Sequence, residues 1–546
     1  MDQEGQRRFE AACEDVVAEI LAGEVDRDGL EAAKLKACGE HSSPKVPTNG
    51  DLLAAAPDEK RDAVEPVVRR KPVRTASGVS PVAIMTSPEP CPHGKCLYCP
   101  GGPASEFSSA QSYTGHEPAA ARAEQNDYDP YGQVRLRLAQ LRHIGHPVDK
   151  AELIVMGGTM TARDPEYQEW FVRRAIQAMN EFDPEDPPAP TEDGSFAQPP
   201  DAVTDKPLGA VLEENETASV RNVATTFETK PDWVGPEQID RMLRLGVTKV
   251  EVGVQTTFEG VNREMHRGHG VQDAIDAARR LRDAGFKVGF HMMPGQPGTS
   301  VAMAREDARR IFEDERFRPD YLKIYPTLVV GGTRVYDMWR RDEYEPLTND
   351  QAAALVAEIK AEIPPWVRLQ RVQRDIPADF IEAGVWKSNL RQLARKRMDE
   401  HGTSCDCIRC REVGMNDEEP EGVELVARQY TAGGGTEQFL SIEDRDQDLL
   451  IGFLRLRFPG SPRRSELQDA AVVRELHVYG NEVGLGEQGD QFQHQGHGRR
   501  LLREAERRAR EAGYGKLAVI AGVGAREYYR QELGYTQDGP YVSKSL

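Results

Sequence analysis

From Val82 onward the chain alternates short β-rich runs with amphipathic stretches, and this alternation restricts the possible folds more than any other feature. The runs lie at residues 82–85, 152–156, 223–227, 249–254, 287–291 and 321–325. Between them, apolar residues repeat with helical period at 168–179, 238–245, 271–284 and 301–312. Such a pattern builds a parallel sheet covered by helices. Six strands predict an α/β fold with a partial (β/α)6 barrel rather than a closed eight-stranded one. Residues 181–206, rich in Pro, Asp and Glu, read as an exposed insertion.

The flanking regions differ. Phe9, Cys13, Val16, Val17, Ile20 and Leu21 recur at helical spacing, so the chain opens with a small helical segment, followed by a polar, Pro-containing stretch to about Pro66. After the barrel, residues 366–415 read as a hinge. Antiparallel strands are then expected at 438–443, 448–458 and 472–479, with a helix from Gly498, a strand at 516–520 and an aromatic-rich helix. That order describes a separate α+β domain. The expected division is 1–75 (helical segment and basic linker), 76–365 (barrel), 366–423 (linker) and 424–546 (α+β domain).

With 546 residues the chain has no need of disulfides for stability. Its eight cysteines include two tight trios, Cys91/Cys96/Cys99 and Cys405/Cys407/Cys410, which is the spacing of metal sites and not of a disulfide framework. Cys13 and Cys38 stand alone. No apolar run is long enough to cross a bilayer, which predicts a cytoplasmic protein. The 90 acidic against 70 basic residues exclude a uniformly basic nucleic-acid binder and leave only local patches for that role.

Cys91-Pro-His-Gly-Lys-Cys96-Leu-Tyr-Cys99 follows the first expected strand, on the face where α/β barrels carry their active sites. Three thiolates can hold three irons of a [4Fe–4S] cluster and leave the fourth open to another ligand. A zinc knuckle is the competing reading, with His93 as its nearest fourth ligand. The spacing, with an aromatic before the last cysteine, resembles the radical-SAM superfamily. The longer run to Gly102 is similar to the Elongator catalytic-subunit family, whose archaeal form is a single protein. Four residues separate the first two cysteines, as in that family, where the superfamily usually has three.

Gly157-Gly158 ends the second strand and resembles the turn that meets the amino group of S-adenosylmethionine; glycines let a backbone approach a ligand closely. Residues 292–298, Met-Met-Pro-Gly-Gln-Pro-Gly, look like a further loop of that family. In the last domain, Gln493-His-Gln495-Gly496-His497-Gly498 precedes a helix whose first N–H groups can cradle a pyrophosphate. Together with the strand Glu475-Leu476-His477-Val478, this resembles the acetyl-CoA loop of the GNAT acyltransferase fold, in which the strand's main chain meets the pantetheine arm. The resemblance also places Tyr528 or Tyr529 near the thioester, with Tyr529 preferred, carries acetyl-CoA contact onto Lys150, and gives Lys323 and Tyr325 active-site roles. Ordinary strand flanks and aromatic core packing are the alternatives for these residues.

Cys405-x-Cys407-x2-Cys410 suits a structural zinc ion between the domains, with His401 the nearest candidate for a fourth ligand. Arg69, Arg70, Lys71 and Arg74 form a basic stretch. Residues 366–397 hold eight basic and three acidic side chains, among them Lys387, Arg391, Arg395, Lys396 and Arg397. Both patches are candidate phosphate contacts, and the resemblance makes tRNA their partner.

The resemblance as a whole implies modification of uridine 34 of tRNA at C5. S-adenosylmethionine would yield a 5′-deoxyadenosyl radical that takes hydrogen from the methyl group of acetyl-CoA. Addition to C5, loss of an electron and a proton, and thioester hydrolysis would leave 5-carboxymethyluridine. An electron donor is required, and a homodimer or accessory subunits stay open as partners. The alternative is a protein-lysine N-acetyltransferase with a structural iron–sulfur domain, which would tolerate loss of the first cysteine trio.

Overall fold

A computed structural model describes residues 3–69, 75, 77–188, 206–416, 418–479 and 496–546. The chain opens with four helices, Gln3–Leu21, Leu30–His41, Asn49–Ala55 and Arg61–Val68, packed around Phe9, Val16, Val17, Leu30, Leu52 and Val64. The polar, Pro-containing stretch up to about Pro66 is therefore largely helical. Its periods are too short to show in the sequence, and Thr48 starts one helix with a reciprocal cap to Asp51.

Seven parallel strands follow in the order β1-β2-β3-β4-β5-β6-β8. They are β1 (Ser80–Met85), β2 (Lys150–Met156), β3 (Arg221–Thr229), β4 (Lys249–Gln255), β5 (Lys287–Met292), β6 (Tyr321–Ile324) and β8 (Arg368–Arg371). A small antiparallel pair, β7 (Val329–Val330) and β9 (Ile381–Ala383), lies outside the sheet. All six expected strands are present. The seventh, β8, comes from the stretch read as linker and pairs in parallel with β6. Its four residues, Arg-Leu-Gln-Arg, contain one apolar side chain, so their hydrophobicity gives no strand signal. Helices such as Pro165–Asn180, Val271–Asp283 and Val301–Glu313 turn apolar faces onto the outside of the sheet, where Phe171, Ile176, Ala277, Leu281 and Ile311 join its core.

The C-terminal sheet runs β10-β11-β12-β13-β14-β16-β15. Its strands are β10 (Val423–Ala432), β11 (Gly435–Asp444), β12 (Leu449–Phe458), β13 (Ala470–Val478), β14 (Lys516–Val519), β15 (Thr536–Asp538) and β16 (Tyr541–Ser545), with the helix His497–Glu511 between β13 and β14. β13 and β14 pair in parallel only from Ala470 to Val473; beyond this Glu475–Val478 pair with β12 alone, and a cleft opens against β14. Val472, Ala518, Ile520 and Tyr541 join the barrel's apolar core, so one core runs across both domains.

Candidate active site

Cys91, Cys96 and Cys99 lie beyond the carboxyl end of β1, with Cys96 and Cys99 buried and Cys91 half-buried. Each thiol meets a polar neighbour. Cys91 Sγ is 3.6 Å from Thr159 Oγ1, and Cys96 Sγ is 3.2 Å from His93 Nε2 and 3.3 Å from Arg267 Nη1. Gln111 Nε2 lies 3.5 Å from Cys99 Sγ. Burial pushes the Cys91 thiol up to about 11. Thiolate formation at neutral pH therefore needs a cation to displace the proton, which is how soft metal centres bind. Gly157 and Gly158 both have positive φ (116° and 96°). A Cβ on Gly157 would strike Thr86, and one on Gly158 would sit 3.0 Å from Gln111 Cβ and 3.9 Å from Cys91 Sγ. The Gly-Gly turn thus leaves free space beside the thiols. Three thiols lining one open-sided cavity fit a cluster with one uncommitted iron better than a closed tetrahedral zinc site.

Below them, a cavity of about 360 Å³ occupies the barrel interior. Lys323 Nζ donates to Glu228 at 3.0 Å and also pairs with Glu251. His291 Nε2 is 3.0 Å from Glu251, and Tyr113 donates to Glu228 at 3.0 Å. Burial alone would raise the Glu251 carboxyl, but Lys323, the hydrogen bond from His291 and the nearby Lys249 hold it well below the carboxylate range. Burial would lower Lys323; Glu251, Tyr325 and Glu228 outweigh it and raise it, so it stays a cation. Tyr325 is raised, by burial first, and stays a phenol that can donate a proton.

The second cavity, about 650 Å³, lies at the amino ends of the barrel strands and opens into the β13–β14 cleft. Lys150, Glu475–Val478, Gly496, His497, Gly498, Tyr528 and Tyr529 all line it. Gly496, at φ 84°, starts the helix His497–Glu511, whose first turn lines the cleft mouth and carries the positive end of the helix dipole. Gln493 and Gln495 lie outside the described residues. Tyr529 is buried and its pKa is raised by that burial, whereas Tyr528 is 40% exposed. The Glu475 side chain is taken up by Tyr321 and by Arg455 Nε at 2.8 Å, which leaves its main chain for a ligand.

Four family models match successive stretches of the chain. The ELP3 N-terminal domain model matches residues 9–76, the Radical SAM superfamily 88–311, the Radical_SAM C-terminal domain 319–400 and the Acetyltransferase (GNAT) family 409–535. The chain is 47% identical over 517 residues to a protein named tRNA uridine(34) acetyltransferase from Methanocaldococcus jannaschii, covering 92% of this chain and 90% of that one. It is 43% identical over 554 residues to Elongator complex protein 3 of Schizosaccharomyces pombe, covering 98% of each. The chain belongs to the Elongator complex protein 3 family. The solved archaeal Methanocaldococcus infernus Elp3 with an N-terminal deletion superposes with a TM-score of 0.73 at 42% identity, covering 86% of this chain and all of that one. Membership brings a radical-SAM barrel and a GNAT domain, and with them an acyltransferase chemistry that draws on an iron–sulfur cluster, S-adenosylmethionine and an acyl-CoA.

The remaining candidates of this Elongator-family chain divide. Cys405, Cys407 and Cys410 bring their sulfurs within 4.8 Å of one another without His401. Lys360 Nζ lies 3.8 Å from Cys410 Sγ. Among the basic residues, Arg70, Lys71 and Arg74 are outside the described residues. Three others make bonds within the chain: Arg69 donates to Gly145 O and Glu65 at 2.7 Å, Arg391 to the carbonyls of Leu369 (3.2 Å) and Gln370 (3.1 Å), and Arg397 pairs with Asp350. Lys387, Arg395 and Lys396 are exposed, and Lys387 sits beside Trp386, which is 55% exposed. Glu228, Glu251, His291 and Arg267 escaped the sequence reading. A signal was there: β4 reads Lys-Val-Glu-Val-Gly-Val-Gln, with charge at alternate positions where barrel interiors are usually apolar.

Proposed function

We propose that the chain modifies uridine 34 of tRNA at C5, joining the acetyl group of acetyl-CoA to the base to give 5-carboxymethyluridine. The observation that carries this reading is the pairing, on one barrel, of an open thiol trio at one end with an acyl-CoA cleft at the other. A simple acetyl transfer to an amine would need only the cleft. The name of the archaeal relative, tRNA uridine(34) acetyltransferase, supports the choice of substrate.

In this reading Cys91, Cys96 and Cys99 hold a [4Fe–4S] cluster and Gly157 and Gly158 admit the amino end of S-adenosylmethionine; when bound, the pair supplies a 5′-deoxyadenosyl radical able to take hydrogen from a methyl group. The protein's own residues do the rest. The start of the helix His497–Glu511, with Gln493, Gln495, Gly496, His497 and Gly498, holds the CoA pyrophosphate, and Glu475, Leu476, His477 and Val478 pair with the pantetheine arm. Lys150 and Tyr528 line its path, and Tyr529 donates to the thioester. Lys323, kept cationic by Glu251 and Glu228, stabilises negative charge developing on an oxygen in the lumen. Tyr325, kept neutral, donates a proton there. Cys405, Cys407 and Cys410 hold a structural zinc ion at the domain junction. Arg70, Lys71, Arg74, Lys387, Arg395 and Lys396 meet tRNA phosphates, with Trp386 offering a face for a base. Arg69, Arg391 and Arg397, which also bond within the chain, complete these patches. The cytoplasm, with its tRNA, acetyl-CoA and an electron donor, is the expected site of action; no described helix is long and apolar enough to cross a membrane.

Anaerobic incubation with tRNA, acetyl-CoA, S-adenosylmethionine and a reductant, followed by nucleoside mass spectrometry, tests the reading. Wild type yields 5-carboxymethyluridine and Cys96→Ala yields none. Product from Cys96→Ala at the wild-type rate refutes the radical route. Acetylated protein with unchanged tRNA supports the lysine-acetyltransferase alternative in its place.

A further inference from the structure

The two cavities share part of their walls. Ser77, Val79, Glu152, Arg368 and Gln370 line both, so the barrel-end cavity and the lumen cavity meet at one layer of side chains. Alternate residues of each strand mark the way through. On β2 the sequence from the cleft inward is Lys150, Glu152, Ile154 and Met156; the first lines the cleft cavity, the second both, and the last two the lumen. β4 repeats this, with Lys249 on the cleft side and Glu251 and Gly253 on the lumen side.

Barrels of parallel strands normally fill such layers with branched apolar side chains and close. Here the layers hold a continuous column of polar groups. Lys249 pairs with Glu152 at 2.5 Å and lies 3.7 Å from Glu251; Glu251 pairs with Lys323, and Lys323 with Glu228. Thr226 donates to Glu152 at 2.7 Å. Gly289 keeps the same level narrow in side-chain volume, since a Cβ there would sit 3.0 Å from Glu251 Cγ. Charges buried without a ligand to serve carry a desolvation cost that apolar packing would avoid. Lys287 adds a further donor: it lines the cleft cavity, and its side-chain ammonium makes no hydrogen bond or ion pair among the described residues.

We infer that the barrel lumen is the passage along which the acyl arm of the bound thioester passes from the GNAT cleft to the cluster end, and that Glu152, Lys249, Arg368 and Gln370 form its gate. This rests on the proposed acyl-CoA reading. The amides and carbonyls of a pantetheine arm match a wall that alternates ammonium donors with carboxylate acceptors, and Lys287 at the entrance is placed to donate to an amide or thioester oxygen. The four gate residues are positioning residues: they conduct the arm and take no part in bond making.

Bromoacetyl-CoA, an alkylating analogue of the acyl donor, tests this on the full chain with its cluster reconstituted, so that Cys91, Cys96 and Cys99 are engaged. One reporter thiol is introduced by Ile154→Cys on the lumen side, and another by Ala224→Cys on the cleft side; peptide mass spectrometry reads the labelling. Both reporters are expected to label. Adding Gln370→Trp to plug the gate should slow labelling at position 154 at least tenfold and leave position 224 labelled, whereas Gln370→Ala should leave both. Labelling at 154 that ignores the plug, or that never occurs while 224 labels, overturns the passage. Failure at both positions overturns the acyl-CoA reading beneath it. Because the readout is alkylation and not product, loss of tRNA modification by itself cannot be mistaken for either result.

Discussion

Buried charge is concentrated in two places, the barrel lumen and the seam between the barrel and the C-terminal domain. In the seam, Arg455 and Arg457 on β12 and Arg474 on β13 are at most 1% exposed. Arg474 grips Asp320 at 2.6 and 2.7 Å and Glu437 at 2.9 Å, and Arg457 bonds Glu437 at 2.9 Å and Asp283. Tyr541 donates across the same boundary to Ala284 O at 2.8 Å, and Gly522 packs directly on the β3 backbone, where a Cβ would clash with Val223. The seam is sealed. The lumen has comparable ion pairs, but they border open volume. Charge in the seam fixes how two domains dock; charge in the lumen is held ready for something that is not protein. The difference lies in what surrounds the pairs and not in their composition.

The same substitution in both places separates these roles. Lys323→Met should lower 5-carboxymethyluridine formation about 10³-fold, equivalent to about 4 kcal/mol of barrier. It should barely move the urea midpoint, since Lys249 and His291 still attend Glu251 and cavity water can reach Glu228. Arg474→Met should reverse the pattern, with about 3–5 kcal/mol lost from stability because Asp320 and Glu437 lose a partner where water cannot replace it. Its activity per folded molecule should stay near wild type. If both variants lose activity and stability alike, the contrast between lumen and seam fails.

A smaller effect sharpens the comparison at its boundary. Burial lowers Lys287 from the ordinary 10.5 to about 8. Between those values the unfolded chain binds the extra proton, so stability should rise with pH from about 8 to about 10.5, by on the order of 3 kcal/mol. Lys287→Met should remove that rise, read as the difference between the two chains in urea midpoint at pH 8 and pH 10.5. An unchanged slope would mean that Lys287 is already paired and belongs with the seam.

Much of this is legible in the amino-acid sequence alone. Local signals determined the cysteine trios, the Gly-Gly turn, the helix start at Gly498 and six of the seven barrel strands, because each depends on residue types within about ten positions of one another. The family resemblance rests on the same local motifs. What escaped depends on partners far apart in the chain. β8 is a strand because β6 offers it an edge, and its own residues give no such signal. Arg69, Arg391 and Arg397 look like free cations until folding supplies Glu65, two backbone carbonyls and Asp350. Glu228, Glu251, His291 and Lys323 become one network only when β3, β4, β5 and β6 stand side by side. Sequence alone thus determined which chemistries the chain carries; tertiary structure decided that the two ends of one barrel face each other through a charged interior, because register between distant strands is set by packing and not by any local pattern.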